Sequence, residues 1–178
     1  RRQRQMCIRD RVNITATITD NVEVNSSWAV IGIPENGYEN KSMTLLSGNT
    51  YNLTYKSTEI GIYNVTIYAN DSSGNENHGT LKTWYVYGWS NVTWTSPQDG
   101  SYPVGSVINL VCLVTDVNTT QAIENYPVKF WRDGNELGVN YTNQTGYAVY
   151  SWDTSGLSKG NYSVNCTIED NSSLFYNA

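Results

Sequence analysis

The side chains able to do chemistry in this 178-residue sequence are few: three cysteines, one histidine, scattered carboxylates and a large set of glycosylation motifs. Cys166 lies in Gly160-Asn-Tyr162-Ser-Val164-Asn-Cys166-Thr-Ile168-Glu-Asp170, where Tyr162, Val164, Cys166 and Ile168 alternate with Asn161, Ser163, Asn165 and Thr167. A period of two is what a strand with one buried and one wet face requires. Cys112 shares an alternating apolar set with Ile108, Leu110 and Val114. Both thiols therefore point inward, either bonded to each other or packed as two small apolar groups. Two cysteines and the distant His78 fall short of the four ligands of a metal site. His78 sits in a Gly/Asn/Glu loop with no serine or cysteine nucleophile marked out, and no Gly-rich phosphate loop exists. No catalytic residue, no metal and no cofactor are assigned.

Asn-x-Ser/Thr motifs are the most numerous signal. Thirteen occur, at Asn13, Asn25, Asn40, Asn52, Asn64, Asn70, Asn91, Asn118, Asn140, Asn143, Asn161, Asn165 and Asn171. The composition predicts about four by chance. Part of the excess is built in, because Asn at i and Thr at i+2 share the outward face of a strand, as in Asn64/Thr66, Asn161/Ser163 and Asn165/Thr167. Both origins place the asparagines in water. N-glycosylation is expected, which suits an archaeal or eukaryotic surface. A second cluster is aromatic: Trp84, Tyr85, Tyr87, Trp89 and Trp94. It offers either a stacking platform for sugar rings, with Trp84 and Trp89 foremost, or filling for two cores and the crevice between them. Asp20, Asp71, Asp116 and Asp170 recur at strand ends, either as calcium ligands between domains or as turn formers.

The first eleven residues, Arg-Arg-Gln-Arg-Gln-Met-Cys-Ile-Arg-Asp-Arg, have no counterpart in the rest of the chain. They resemble a string found at the ends of translated metagenomic fragments, where sequencing adapter is read as protein. The other reading is a basic arm for nucleic acid or membrane. On the first reading residues 1–11 are non-native or disordered, and the chain is a fragment. They hold five of eleven basic and one of sixteen acidic residues, so six basic residues face fifteen acidic ones in the remainder, a net charge of −9. Such a chain has no footprint for phosphate backbones, so nucleic acid is not expected as a partner. No apolar run approaches the roughly 20 residues of a membrane-spanning helix.

These side chains need strands to position them. Tyr, Thr, Val and Trp are plentiful, and short alternating runs are bounded by Gly, Asn, Asp and Ser. Val12, Ile14, Ala16 and Ile18 alternate with polar residues; Ser27 to Ile33 comes next, then the turn Asn36-Gly37. Met43/Leu45, Tyr51–Tyr55, Gly61–Ala69 and Leu81–Tyr87 complete one set. Gly88 and Ser90-Asn91 read as a junction. Val92–Trp94, Val107–Thr115, Tyr126–Trp131, a short partner around Leu137, Tyr147–Trp152 and the Gly160 stretch form a second set. Thr19-Asp20 aligns with Thr115-Asp116, and Gly61-Ile-Tyr63-Asn-Val65-Thr-Ile67 with Gly160-Asn-Tyr162-Ser-Val164-Asn-Cys166, at offsets of 96 and 99 residues. One unit of that length is repeated. The expectation is an all-β chain with domains at 12–88, lacking its first strand, and 89–178.

Ser96-Pro-Gln-Asp-Gly100, Gly105, Asn125-Tyr-Pro-Val-Lys-Phe130, Thr145-Gly146-Tyr-Ala148, Trp152-Asp-Thr-Ser-Gly-Leu157 and Gly160-Asn-Tyr162 carry a family resemblance. The second unit resembles invasin/intimin-type cell-surface repeats. The first, through Ile18-Thr-Asp20-Asn and Asn70-Asp-Ser-Ser-Gly74-Asn75, is similar to immunoglobulin-like modules of archaeal secreted proteins. This resemblance implies two tandem immunoglobulin-like β-sandwich domains. In such a sandwich the second and sixth strands face each other across the core, which implies a Cys112–Cys166 disulfide. Two departures stand out: Tyr162 is four residues before Cys166 where antibody-type domains place a Tyr two before, and Phe130 stands where a core Trp is usual. Antibody-like binding loops are therefore not implied. The implied role is a non-catalytic stalk or adhesin array of a secreted or cell-surface protein. Its partners would be neighbouring domains of the same chain and a cell-surface protein or glycan. The alternative is a carbohydrate-binding or spacer module of an extracellular enzyme.

Overall fold

In a computed structural model, residues 6–7, 11–21 and 23–178 are described. Among them the regular elements are all strands. The chain divides after Tyr87 into two compact units.

In the first unit, β2 (Arg11–Thr17), β6 (Thr50–Lys56) and β5 (Thr44–Ser47) form one antiparallel sheet in the order β2-β6-β5. The other sheet runs β9-β7-β3-β4, from the first part of β9 (Lys82–Ser96) through β7 (Gly61–Asp71) and β3 (Val24–Ile33) to β4 (Gly37–Ser42). The short β8 (Glu76–His78) adds to β7, and β1 (Met6–Cys7) runs parallel to β9 at Val86–Tyr87. Ile14 and Tyr55 from one sheet meet Ala29, Ile31, Tyr63, Val65 and Val86 from the other, all below one-tenth exposed. Alternation explains this set, since each contributes from every second position of its strand.

The second unit has the same plan. β10 (Val107–Asp116) pairs with β13 (Tyr147–Asp153) and with the second part of β9. Facing them, β12 (Asn135–Tyr141), β11 (Pro127–Arg132) and β14 (Val164–Thr167) form a three-stranded sheet with β14 at its edge. The short β15 (Tyr176–Asn177) runs parallel to β9 at Gly88–Trp89. Leu110, Cys112, Val114, Val128, Phe130 and Ala148 are fully buried between the sheets.

The structure departs from the sequence expectations in particular places. The Gly160–Asp170 stretch is a strand only over Val164–Thr167, because among the described residues β14 is paired along one edge alone, with β11. Its counterpart β7 extends over eleven residues, held by β3 on one side and by β9 and β8 on the other. β4 went unread because its sequence, Gly-Tyr-Glu-Asn-Lys-Ser, has no apolar alternation; it is a solvated edge strand. In the β3–β4 turn, positive φ falls on Glu35 and Gly37 rather than on Asn36. Leu45, expected with Met43, is 59% exposed while Met43 is buried. The stretch read as the junction, Gly88–Asn91, begins where the chain divides into its two units, and strand β9 runs through it without a break. Nor are residues 1–11 without regular structure: Met6–Cys7 pair through their backbone with β9, and Arg11 opens β2. Backbone pairing needs no apolar pattern, which is why the composition gave no sign of it. The rest of that segment lies outside the described residues.

Candidate functional site

The two cysteines sit on opposed sheets of the second unit. Cys112 is at the centre of β10, fully buried, and half-buried Cys166 is on β14. They are joined by a disulfide that closes a separation of 54 residues, with the Cα atoms 6.8 Å apart. The corresponding pair in the first unit, Ala16 on β2 and Ile67 on β7, packs against that unit's core. One unit is covalently stapled where the other is only packed.

Beside this staple lies a buried polar knot. The Tyr126 hydroxyl donates to the Glu169 carbonyl at 2.8 Å and accepts from Ser90 Oγ at 3.0 Å. Ser90 Oγ also lies 2.8 Å from the Asn177 carbonyl oxygen, so its single hydroxyl proton is shared between that oxygen and the Tyr126 hydroxyl. The Tyr126 backbone N–H donates to Thr142 Oγ1, which donates to the Ile123 carbonyl. Burial pushes the Tyr126 phenol up, with the Asp170 charge adding to it and the Ser90 hydrogen bond opposing it. Burial likewise pushes up Tyr176, aided by the neighbouring Asp116 carboxylate. These groups hold the chain's last residues against β9 and β11; they do not converge on a reacting position.

The carboxylates are occupied by their own turns. Asp71 accepts from the backbone N–H groups of Ser73 and Asn75 and from Asn75 Nδ2, which holds its carboxyl below the usual value. Asp116, buried, accepts from the N–H groups of Asn118 and Thr119 and from Thr119 Oγ1. Asp20 accepts from the Glu23 N–H and Asp170 from that of Ala178. For Asp20, Asp71 and Asp116 this is the turn-forming chemistry of Asp, whereas Asp170 holds the backbone eight residues on. No group of three or more His, Cys, Asp or Glu is gathered as a metal site among the described residues. His78 is exposed on β8, with Nδ1 3.1 Å from the Gly79 carbonyl oxygen and its ring against Tyr68.

None of the thirteen sequon asparagines is buried. Asn52, Asn64, Asn70 and Asn171 are half-buried, and the other nine are exposed. Several already serve the fold. Asn143 Oδ1 accepts from the N–H groups of Thr145 and Tyr147 and from Thr145 Oγ1, and Asn140 Nδ2 donates to the Val149 carbonyl at 2.6 Å. The aromatic cluster separates. Trp84 is half-buried, stacked on Tyr63 at 5.1 Å with Nε1 donating to Ser57 Oγ, so its ring belongs to the first core. Trp94 is half-buried and donates to the Pro97 carbonyl. Tyr85 is 50% and Trp89 45% exposed.

Sequence reading missed a groove of about 670 Å³ in the second unit, lined by Trp94, Tyr102, Trp152 and Tyr162 among others. Its signal was present but ambiguous, because alternation counts Tyr162 as an inward residue.

No family model matches this chain, nor does any curated protein. Solved structures do. The chain is similar to a tetra-tandem repeat in the extending region of a large adhesion protein, with TM-score 0.53 and 20% identity, over 89% of this chain and 41% of that one. Fibronectin(III)-like modules of Clostridium thermocellum CbhA match at TM-score 0.37 and 16% identity, over 91% of this chain and 78% of that one. The D0-D1 domain of intimin matches at 0.34 and 15%, over 92% and 85%. At these identities the likeness concerns the fold alone. Taken with the paired sheets of each unit, it makes this an all-β chain of immunoglobulin-like β-sandwiches.

Proposed function

We propose that the chain is a non-catalytic, load-bearing repeat of a secreted or cell-surface protein, part of a stalk or adhesin array. One observation carries this reading. In each unit a short strand near one end of the chain runs parallel to the strand at the other end: Met6–Cys7 with Val86–Tyr87, and Gly88–Trp89 with Tyr176–Asn177. Tension along the chain pulls such a pair in opposite directions along its own length, so its hydrogen bonds are loaded together rather than one after another. The disulfide adds support, since such bonds persist in oxidising compartments. So does the similarity to a tandem repeat of an adhesion protein. The partners are neighbouring immunoglobulin-like domains of the same chain and a cell-surface protein or glycan.

The outward sequons support reading this array as glycosylated. Secretion from a eukaryotic host, then glycopeptide mapping, tests that part. Glycan is expected at exposed positions such as Asn13, Asn118 and Asn165; thirteen bare asparagines in the secreted protein would sink it. A second reading, a sugar-binding module of an extracellular enzyme, draws on Trp89, which is 45% exposed. A glycan array with the parent and Trp89→Ala separates the two: binding by the parent that the variant loses favours the module, and no binding by the parent removes it.

A further inference from the structure

The same sheet face has opposite character in the two units. In the first, β2 and β6 set Asn13 opposite Thr54, Thr15 opposite Asn52 and Thr17 opposite Thr50, on the side away from the core. This face is polar, and Asn13 and Asn52 on it are sequon asparagines. At the offset of 96 residues that aligns Ala16 with Cys112, the matching positions on β10 are Asn109, Val111 and Leu113. Their partners on β13 are Ser151, Val149 and Tyr147. Two cross-strand pairs have thus changed from polar to apolar: Val111–Val149 stands for Thr15–Asn52, and Leu113–Tyr147 for Thr17–Thr50. The alternate positions Leu110, Cys112, Val114, Ala148 and Trp152 fill the second core, so these four side chains face away from it. Tyr147 is 37% and Val149 39% exposed. A strand that is apolar on both faces is the pattern of a strand covered on both. No sequon lies on β10 or β13.

We propose that this face is the contact through which two copies of the chain associate side by side, sheet against sheet. Charge selects the occupant. The second unit, Gly88–Ala178, carries eight acidic and three basic residues, so two copies repel over most of their surface. From the Asn109–Ser151 pair to the Leu113–Tyr147 pair the outward face holds no charged side chain, and Asp153 lies beyond it, opposite Val107. Thr93 and Thr95, exposed on the adjoining part of β9, are neutral too. Two acidic chains meet here without opposing like charges, whereas a basic partner finds no carboxylate at the centre. A twofold axis between the two apolar pairs lays Val111 and Val149 of one copy on Leu113 and Tyr147 of the other. Size sets the strength. Three strands about 4.8 Å apart and about seven residues long give a footprint of roughly 340 Å² per copy, under half of the ~800 Å² of a stable interface. The contact between single chains is therefore weak and reversible, and it strengthens where it recurs along an array. It adds a second copy of the chain as a partner and holds whether or not the chain bears load.

Sedimentation equilibrium of the full chain tests this, with Cys7→Ser in every sample so that any association is non-covalent. Between about 10 μM and about 1 mM, the weight-average mass is expected to climb from 20.0 kDa towards twice that value. Raising salt from roughly 50 to roughly 500 mM is expected to strengthen association, because screening weakens the acidic repulsion and leaves the apolar contact. Val111→Thr with Val149→Asn installs the first unit's own pair and is expected to weaken association at least tenfold. Tyr147→Glu, a single change at an exposed position, is expected to do the same with the thermal midpoint of the second unit retained. A parent that stays at 20.0 kDa throughout overturns the proposal, as does association that both variants retain or that added salt dissolves. Phosphatidylcholine vesicles that bind a monomeric parent and not Tyr147→Glu also overturn it, and assign the face to a lipid surface.

Discussion

Reducing the Cys112–Cys166 bond is the perturbation whose size can be worked most directly from the structure. The bond closes a separation of 54 residues, for which the chain-entropy relation gives about 4 kcal/mol of stabilisation. Packing adds little to the difference, because the reduced thiols remain small apolar groups between the same two sheets. In a domain of this size each kcal/mol moves the midpoint by roughly 4–8 °C, so the second unit's transition falls by roughly 15–30 °C. The first unit serves as an internal control, since Ala16 and Ile67 occupy its equivalent positions and offer nothing to reduce. Differential scanning calorimetry with and without reductant reads both transitions in one sample. The account requires a large drop in one and none in the other. A second-unit transition that stays put on reduction would refute the staple, and equal drops in both would show that reductant acts elsewhere.

Tyr126→Phe removes the hydroxyl that joins Ser90 Oγ and the Glu169 carbonyl, and is expected to cost the second unit roughly 1–3 kcal/mol in urea denaturation. Gly146 has φ +80°, and a Cβ there would lie 2.7 Å from the Val114 carbonyl oxygen. At Gly134, with φ +78°, a Cβ meets open space. Gly146→Ala is therefore expected to destabilise clearly more than Gly134→Ala, and equal midpoints would contradict this contact. Burial first, then the nearby Glu39 charge, pushes the Tyr55 phenol up to about 12. Tyr126 and Tyr176 are raised as well. A group whose folded value is raised keeps its contribution below the unfolded value near 10 and loses it above, so stability falls as pH climbs from about 10 towards 12. Absorbance titration at 295 nm is expected to show a late group of tyrosines ionising together with unfolding. At the acid end the sign reverses. Asp71 and Asp153, held low chiefly by hydrogen bonds from Asn75 and Ser155, lose their contribution as pH falls below about 4.

Where one face of a strand is buried, period-two alternation exposed the element in the sequence: β2, β3, β7, β10, β11 and β13 were all readable. It failed where packing does not depend on side-chain pattern. β4 is a polar edge strand, and Met6–Cys7 and Tyr176–Asn177 are held by backbone pairing. The inward positions of Cys112 and Cys166 were visible because alternation alone decides which face a residue takes. Tyr162 was not readable in the same way. Its exposure depends on whether a neighbouring strand lies over it, and that is information from a distant part of the chain. Trp84 shows the converse: an aromatic read as a candidate sugar platform is spent on Tyr63, its cross-strand partner in the β7–β9 ladder.

Pulling single molecules by their two ends tests the load-bearing reading most directly. Parallel end strands loaded in shear predict two abrupt unfolding events, one per unit. The disulfide predicts that the second unit releases a contour length short by the enclosed segment, about 180–190 Å for 54 residues at extended spacing, and that reductant restores it. Smooth extension with no abrupt event in either unit would contradict the account.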